Sequence, residues 1–210
     1  MEISKSRLCR IFSRIPTIQT ERLTLRKLLP SDYRDMYEYA SQQTVTEYLL
    51  WSPHLNQDQT YRYLEAVQTS YKRGEFFDWA VVITETGKMI GTCGYTSFDV
   101  DNRRTEIGYV LNPAYWGNGY ASEAVMAVTE FAFSELGMNR VEAHFIEGNE
   151  RSLHVMRKCG MALEGIFRQY MLIKGKYRNI GICGITKDIF TGRGFYRKTE
   201  NKGWLKRLIS

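Results

Sequence analysis

One change of period constrains this chain more than any other feature. Thr105–Leu111 reads as a strand, with Glu106, Gly108 and Val110 on one face and Ile107, Tyr109 and Leu111 on the other. From Tyr120 to Leu136 the apolar residues recur at helical spacing instead, through Ala121, Ala124, Val125, Val128, Phe131 and Ala132. Between them lies Pro113-Ala114-Tyr115-Trp116-Gly117-Asn118-Gly119, and a further strand follows at Arg140–Ile146. A strand, a glycine turn, a helix and a second strand call for a right-handed crossover joining two parallel strands.

The rest of the chain calls for antiparallel pairing. Glu21–Leu28 alternates polar and apolar, and Pro30-Ser31-Asp32 then stops it and caps a helix through Tyr33, Met36, Tyr37 and Ala40. Thr44–Leu55 reads as loop or short irregular helix. A longer helix is expected from Asn56 to Arg73, with Tyr61, Leu64, Val67 and Tyr71 along one stripe and Gly74 as its stop. Two strands, 76–84 and 88–98, join through Glu85-Thr86-Gly87-Lys88 as a hairpin. A helix over Glu150–Cys159 stops at Gly160, and Ala162–Phe190 splits around Lys174-Gly175-Lys176 into a long final hairpin. The sheet is therefore mixed.

Composition excludes several classes. With 43% hydrophobic and 25% charged residues, the 210-residue chain is neither disordered nor a disulfide-dense miniprotein. No apolar run approaches the roughly 18 residues of a membrane span, and Met1–Arg14 lacks the apolar stretch of a secretory signal, so a cytoplasmic location is expected. Cys9, Cys93, Cys159 and Cys183 lie far apart with no metal-ligand spacing, so no metal is expected.

The net charge of +6 is unevenly placed. Residues 1–16 hold four basic and one acidic side chain and residues 191–210 six and one, leaving 19 basic against 21 acidic between them. The division expected is a basic N-terminal extension (1–16), one central globular domain (17–190) and a basic C-terminal tail (191–210). In that tail Trp204, Leu205, Leu208 and Ile209 interleave with Lys202, Lys206 and Arg207, as in an anchor to ribosomal RNA or a membrane surface, or in a solvated tail.

The glycine turn carries the chemistry. Gly117 and Gly119 let backbone N–H groups approach an anion, and the helix that follows adds unpaired donors and the positive end of its dipole. A plain tight turn would look the same in isolation. Ser122 stands where a dinucleotide fingerprint needs its third glycine, and no Gly-Lys-Ser/Thr of a P-loop is present.

Taken together, Glu106-Ile107-Gly108-Tyr109-Val110-Leu111, then Tyr115 to Ala124, Asn149-Glu150-Arg151-Ser152 and Cys159-Gly160-Met161 resemble the GNAT N-acetyltransferase superfamily. More narrowly they resemble the Rim-type branch that acetylates N-termini of ribosomal proteins. The resemblance covers residues 17–190. It implies an α/β (α+β) fold, a GNAT-like three-layer domain whose mixed, mostly antiparallel sheet has a splayed parallel central pair flanked by helices. It implies acetyl-CoA as cosubstrate, with its pyrophosphate on the backbone of Gly117, Asn118, Gly119, Tyr120, Ala121 and Ser122. Trp116 stands where the superfamily has Gln or Arg. The pantetheine arm is expected along Tyr109, Val110 and Leu111, where the family's strand bulges and splays. Asn149 matches a cofactor-contacting asparagine and equally an N-cap. Lys158, at a helix end with Arg157, would meet the 3′-phosphate or complement the helix dipole.

Glu106 is the candidate for binding the acceptor amine and taking its proton through water; the alternative is a structural glutamate paired with Arg104 or Arg140. Backbone N–H groups near Val110 and Leu111 would polarise the thioester. Where many relatives carry a tyrosine acid this chain has Met156, so Ser152, matching a Rim-type serine, is the candidate partner of the leaving thiolate, with Tyr170 as a fallback. His54, His144 and His154 are expected in surface or core roles. The acceptor implied is a ribosomal protein N-terminus. The alternatives are a small amine (polyamine, amino acid or antibiotic) and a non-catalytic acyl-CoA- or RNA-binding module, in a monomer or homodimer.

Overall fold

A computed structural model describes residues 4–192. Its elements run α1 (Lys5–Ser13), β1 (Ile18–Gln19), β2 (Leu23–Arg26), α2 (Tyr33–Ala40), α3 (Gln43–Thr46), α4 (Gln57–Arg73), β3 (Asp78–Ile83), β4 (Met89–Asp99), β5 (Arg104–Leu111), α5 (Tyr120–Ser134), β6 (Arg140–Ile146), α6 (Glu150–Lys158), β7 (Ala162–Ile173), β8 (Lys176–Thr186) and α7 (Lys187–Gly192). Eight strands form one sheet in the order β1-β2-β3-β4-β5-β6-β8-β7. Every neighbouring pair is antiparallel except β5–β6, which α5 connects as a crossover.

That parallel pair is short. It registers Arg104 with Arg140, Thr105 with Val141 and Glu106 with Glu142. Beyond Glu106, β5 stays on β4 as far as Leu111↔Gly91, while β6 stays on β8 as far as Ile146↔Ile180. The two strands therefore part at Glu106, and the backbone edge of β5 past it faces a fork instead of a strand. The expected bulge is displaced: the register shift falls between Tyr95 and Ser97 of β4, opposite Ile107 and Glu106, so Thr96 is the extra residue. Gly108 accommodates it, because a Cβ there would lie 2.7 Å from Thr96 Cγ2. The threonine methyl thus takes up the space that Gly108 leaves on the Glu106 face of β5.

α5 lays Ala124, Val125, Val128, Phe131 and Ala132 into the core, and Tyr95 on the sheet donates its hydroxyl to the Val128 carbonyl at 2.6 Å. α4 is capped by Asn56, which accepts from Gln59 N, and by Gly74. Its buried stripe is Thr60, Leu64, Val67 and Tyr71. Tyr61, expected in that stripe, is exposed and meets Tyr33 edge-on. Asp32, expected to cap α2, instead binds Arg26 at 2.7 Å and accepts from Leu29 N at 2.8 Å. An arginine on the neighbouring strand outcompetes the helix N-terminus for the carboxylate.

Both chain ends of the described region join the core. Within 1–16, α1 buries Leu8 and Phe12, and the Phe12 ring packs edge-on against Phe77, Trp79 and Tyr95. Trp79 Nε1 donates to the Pro16 carbonyl at 2.7 Å. The final strand ends at Thr186, short of the Phe190 expected, because α7 turns Phe190 inward onto Phe133. The aromatic and basic residues noted in the tail, Trp204 among them, lie outside the described residues. Among the described residues no helix is long and apolar enough to cross a membrane.

Candidate active site

The fork opens into a cavity of about 1100 Å³. Tyr109, Val110 and Leu111 line it from β5, Trp116, Gly117, Gly119, Tyr120, Ala121 and Ser122 from the glycine turn and α5, and Asn149, Ser152 and Lys158 from α6. Two of the sequence candidates are placed elsewhere. Asn118 does not line the cavity: its side-chain amide donates to the Tyr115 and Trp116 carbonyls at 3.2 Å and tightens the turn from behind. Glu106 faces a second pocket on the other side of the fork.

The turn is built to expose backbone. Gly117 and Gly119 both sit at φ +81°, the left-handed region that glycine enters without strain, and Gly119 is the N-cap of α5. The first N–H groups of α5 therefore point out of the helix with no partner inside it. Arg22, immediately before β2, holds the turn in place. Its Nη1 donates to the Asn118 carbonyl at 3.0 Å, its Nε to Glu123 at 2.7 Å, and its guanidinium lies 4.5 Å from the Tyr120 ring centroid. Burial alone would raise the Glu123 carboxyl, but hydrogen bonds from Thr20 and Arg22 outweigh it and keep the group below its usual range. Two cations reach the turn: a Cβ placed on Gly119 would lie 3.5 Å from Arg22 Nη2 and 3.8 Å from Lys158 Nζ.

Trp116 fills the superfamily's Gln/Arg position in a different way. Its indole N–H donates to the Leu111 carbonyl at 2.9 Å, tying the turn to the end of β5, and Arg151 stacks over its ring at 4.6 Å. Asn149 is the N-cap of α6, its Oδ1 accepting from Ser152 N at 3.2 Å. The Tyr109 hydroxyl lies 2.8 Å from Ser152 Oγ. Met156 is buried. Cys159 donates to the Ser122 carbonyl at 3.5 Å and pins α6 to α5.

The second pocket, of about 510 Å³, lies on the opposite face of the sheet. Glu106, Glu142, His144, Glu164, Phe167 and Tyr170 line it, among others. Arg104 binds Asp99 and Glu142, and Arg140 binds Glu142 and Glu164. Neither arginine pairs with Glu106, whose partner is His144 Nδ1 at 3.3 Å. Of the other histidines, His54 bonds Thr60 at 2.8 Å and burial lowers its pKa, while His154 borders the larger cavity.

Sequence reasoning missed Arg22, Arg151, His144 and the hydroxyl of Tyr109. His144 shares a strand face with Arg140 and Glu142 by its even spacing, which was legible; that this face meets Glu106 depends on the parallel register, which was not. Arg22 lies 96 positions from Asn118, and no local pattern marks the contact.

A splayed parallel pair with an anion-cradling turn at the head of the following helix defines an acyl-CoA-type transferase site. The acetyltransferase (GNAT) domain model matches residues 22–162, and the chain belongs to that family. It is 32% identical over 176 residues to the uncharacterized N-acetyltransferase p20 of Bacillus licheniformis, covering 84% of this chain and 99% of that protein. A crystal structure of an acetyltransferase (GNAT family) from Bacillus anthracis is 26% identical, with a TM-score of 0.72 over 82% of this chain and 99% of that one. Ribosomal-protein-S5-alanine acetyltransferase from Vibrio fischeri, 22% identical, shares the fold, with a TM-score of 0.69 over 82% and 97%. The protein is an N-acetyltransferase.

Proposed function

We propose that this enzyme moves the acetyl group of acetyl-CoA to the N-terminal α-amino group of a protein, ribosomal proteins first among them, by direct attack across the fork. The observation that carries the reading is the position of Glu106. It ends the β5–β6 pairing, and its carboxylate is free of the arginines that occupy its neighbours. A protein of the same fold bears the name ribosomal-protein-S5-alanine acetyltransferase, which is the substrate class taken here.

Acetyl-CoA fits the larger cavity. The N–H groups of Gly117 to Ser122, with Arg22 and Lys158 beside them, suit its phosphates, and Tyr109–Leu111 offers a strand edge to the pantetheine amides. The acceptor enters from the Glu106 side. An α-amino group, with a reference pKa near 8 against about 10.4 for lysine, is neutral in about a tenth of molecules at pH 7, so it needs only mild help from a carboxylate. Glu106 holds the amine and passes its proton to water. The amine lone pair attacks the thioester carbonyl, whose developing oxyanion is stabilised by backbone N–H groups of β5 facing the fork.

A thiol-release assay tests this, offering N-terminal peptides, the same peptides with blocked N-termini, polyamines, amino acids and amine-bearing antibiotics. Faster turnover of the free-terminus peptides is expected. A polyamine or antibiotic as the best acceptor, or equal turnover of blocked peptides, overturns the protein N-terminus as acceptor.

A further inference from the structure

Tyr109 is held where β5 faces α6, half-buried, with its hydroxyl oxygen 2.8 Å from Ser152 Oγ and 3.0 Å from the Ser152 carbonyl. A phenol has one proton, so it can serve only one of these acceptors at a time. With the Tyr109 proton on the carbonyl, the Ser152 hydroxyl donates back to Tyr109. With it on Ser152 Oγ, the serine proton is released toward the cavity that both side chains line. The Ser152 backbone N–H is bonded to Asn149 Oδ1, which fixes the main chain that carries the hydroxyl.

We infer that Tyr109 is a positioning residue that turns Ser152 into a hydrogen-bond donor for the coenzyme A sulfur, so that the leaving group departs as a stabilised thiolate. The inference rests on the acetyl-CoA placement proposed above. As the C–N bond forms and the C–S bond breaks, the electron pair of C–S stays on sulfur. The Ser152 O–H turns to that charge, and the Tyr109 O–H swings from the Ser152 carbonyl to Ser152 Oγ behind it. The proton lost by the amine goes through Glu106 to water, and the thiolate takes one from water after it leaves. Neither hydroxyl changes its protonation state. Burial pushes the Tyr109 hydroxyl up, above a thiol at about 8.5, and an alcohol lies higher still, so proton transfer from this pair to sulfur is uphill while hydrogen bonding is not. Ser152 is therefore a donor that keeps its proton.

The test uses the full chain with coenzyme A and with desulfo-coenzyme A, which lacks the sulfur. Near the pKa of the free thiol, about 8.5, coenzyme A bound to the wild type should show more ultraviolet thiolate absorbance than free coenzyme A, with the desulfo complex as blank. Arg151, Lys158, His154 and Glu150 also surround this cavity and act on the sulfur in every variant alike, so the difference between variants isolates the hydroxyls. In Tyr109→Phe and in Ser152→Ala the extra absorbance should disappear and kcat fall roughly tenfold, the worth of one charge-assisted hydrogen bond. The KM for acetyl-CoA and the affinity for desulfo-coenzyme A should stay within about twofold, and the double variant should be no worse than either single one. Desulfo-coenzyme A affinity also reports that each variant is folded. A Tyr109→Phe enzyme with wild-type thiolate absorbance and kcat overturns the inference, as does one that loses desulfo-coenzyme A binding in proportion. A wild type that binds neither compound overturns the cofactor placement itself.

Discussion

At the scale of single residues the site depends on side chains in unlike environments. Glu106 has one side-chain partner, His144, while Glu142 a strand away is held by two arginines. Glu106→Gln keeps the shape and removes the base, so kcat should fall about 100-fold or more while acetyl-CoA affinity by calorimetry stays near wild type. Unchanged turnover would remove Glu106 from the mechanism. Gly119 is limiting in another way: at φ +81°, between Arg22 and Lys158, it leaves a β-branched side chain neither a relaxed backbone nor a way to avoid the phosphate path. Gly119→Val should weaken acetyl-CoA binding by about tenfold or more, the worth of one or two hydrogen bonds to a charged group. Glycine spacing made this loop legible in the sequence. Arg22 was not legible, because its role is defined by a turn far along the chain.

At the scale of elements, α1 binds the N-terminal segment to the domain. Phe12 is fully buried among Phe77, Trp79 and Tyr95. Phe12→Ala should cost about 3–5 kcal/mol of unfolding free energy, measured by urea titration. A near-zero cost would mean that α1 is a detachable extension, as its basic composition first suggests. Asp78, at the start of β3, supplies a pH dependence. Burial pushes its carboxyl up to about 7. Between its ordinary pKa near 4 and that value, the folded chain holds a proton that the unfolded chain has released, so stability falls as pH rises through this window and levels off above it. Asp78 keeps some access to solvent, so the loss should be about 2 kcal/mol, less than the full shift would imply. Asp78→Asn should flatten the profile, as read from urea midpoints at about pH 5 and about pH 8. An unaltered slope would place the titration elsewhere. From β2 to β8 the helices and strands were legible from their periods and caps, while α1 and α7 were not. Asp32 is the N-cap residue of α2 but its side chain bonds Arg26 instead of the helix, and Phe190 packs on Phe133 from α7.

At the scale of the molecule, the sheet is two antiparallel sets that meet in a single three-rung parallel join, and the proposed active site is the gap beyond it. A ligand lying in that gap contacts β5, the head of α5 and the start of α6 together. Acetyl-CoA at about 100 times its Kd should therefore raise unfolding free energy by about 2.7 kcal/mol and the Tm by several degrees, and a tenfold weaker Gly119→Val should show only about half of that rise at the same concentration. An equal rise in the variant would place the ligand elsewhere. By itself the sequence determined the element order from β2 to β8, the mixed sheet, the glycine turn and the residues of β5 that face each way, because periodicity, capping and backbone freedom are properties of neighbouring residues. Only the tertiary structure decided that β5 and β6 part at Glu106, that Thr96 and not β5 carries the bulge, that Arg22 braces the glycine turn, that His144 meets Glu106 and that Tyr109 meets Ser152. Those depend on strand register and on contacts between residues tens of positions apart, where a shift of one residue turns every side chain to the other face.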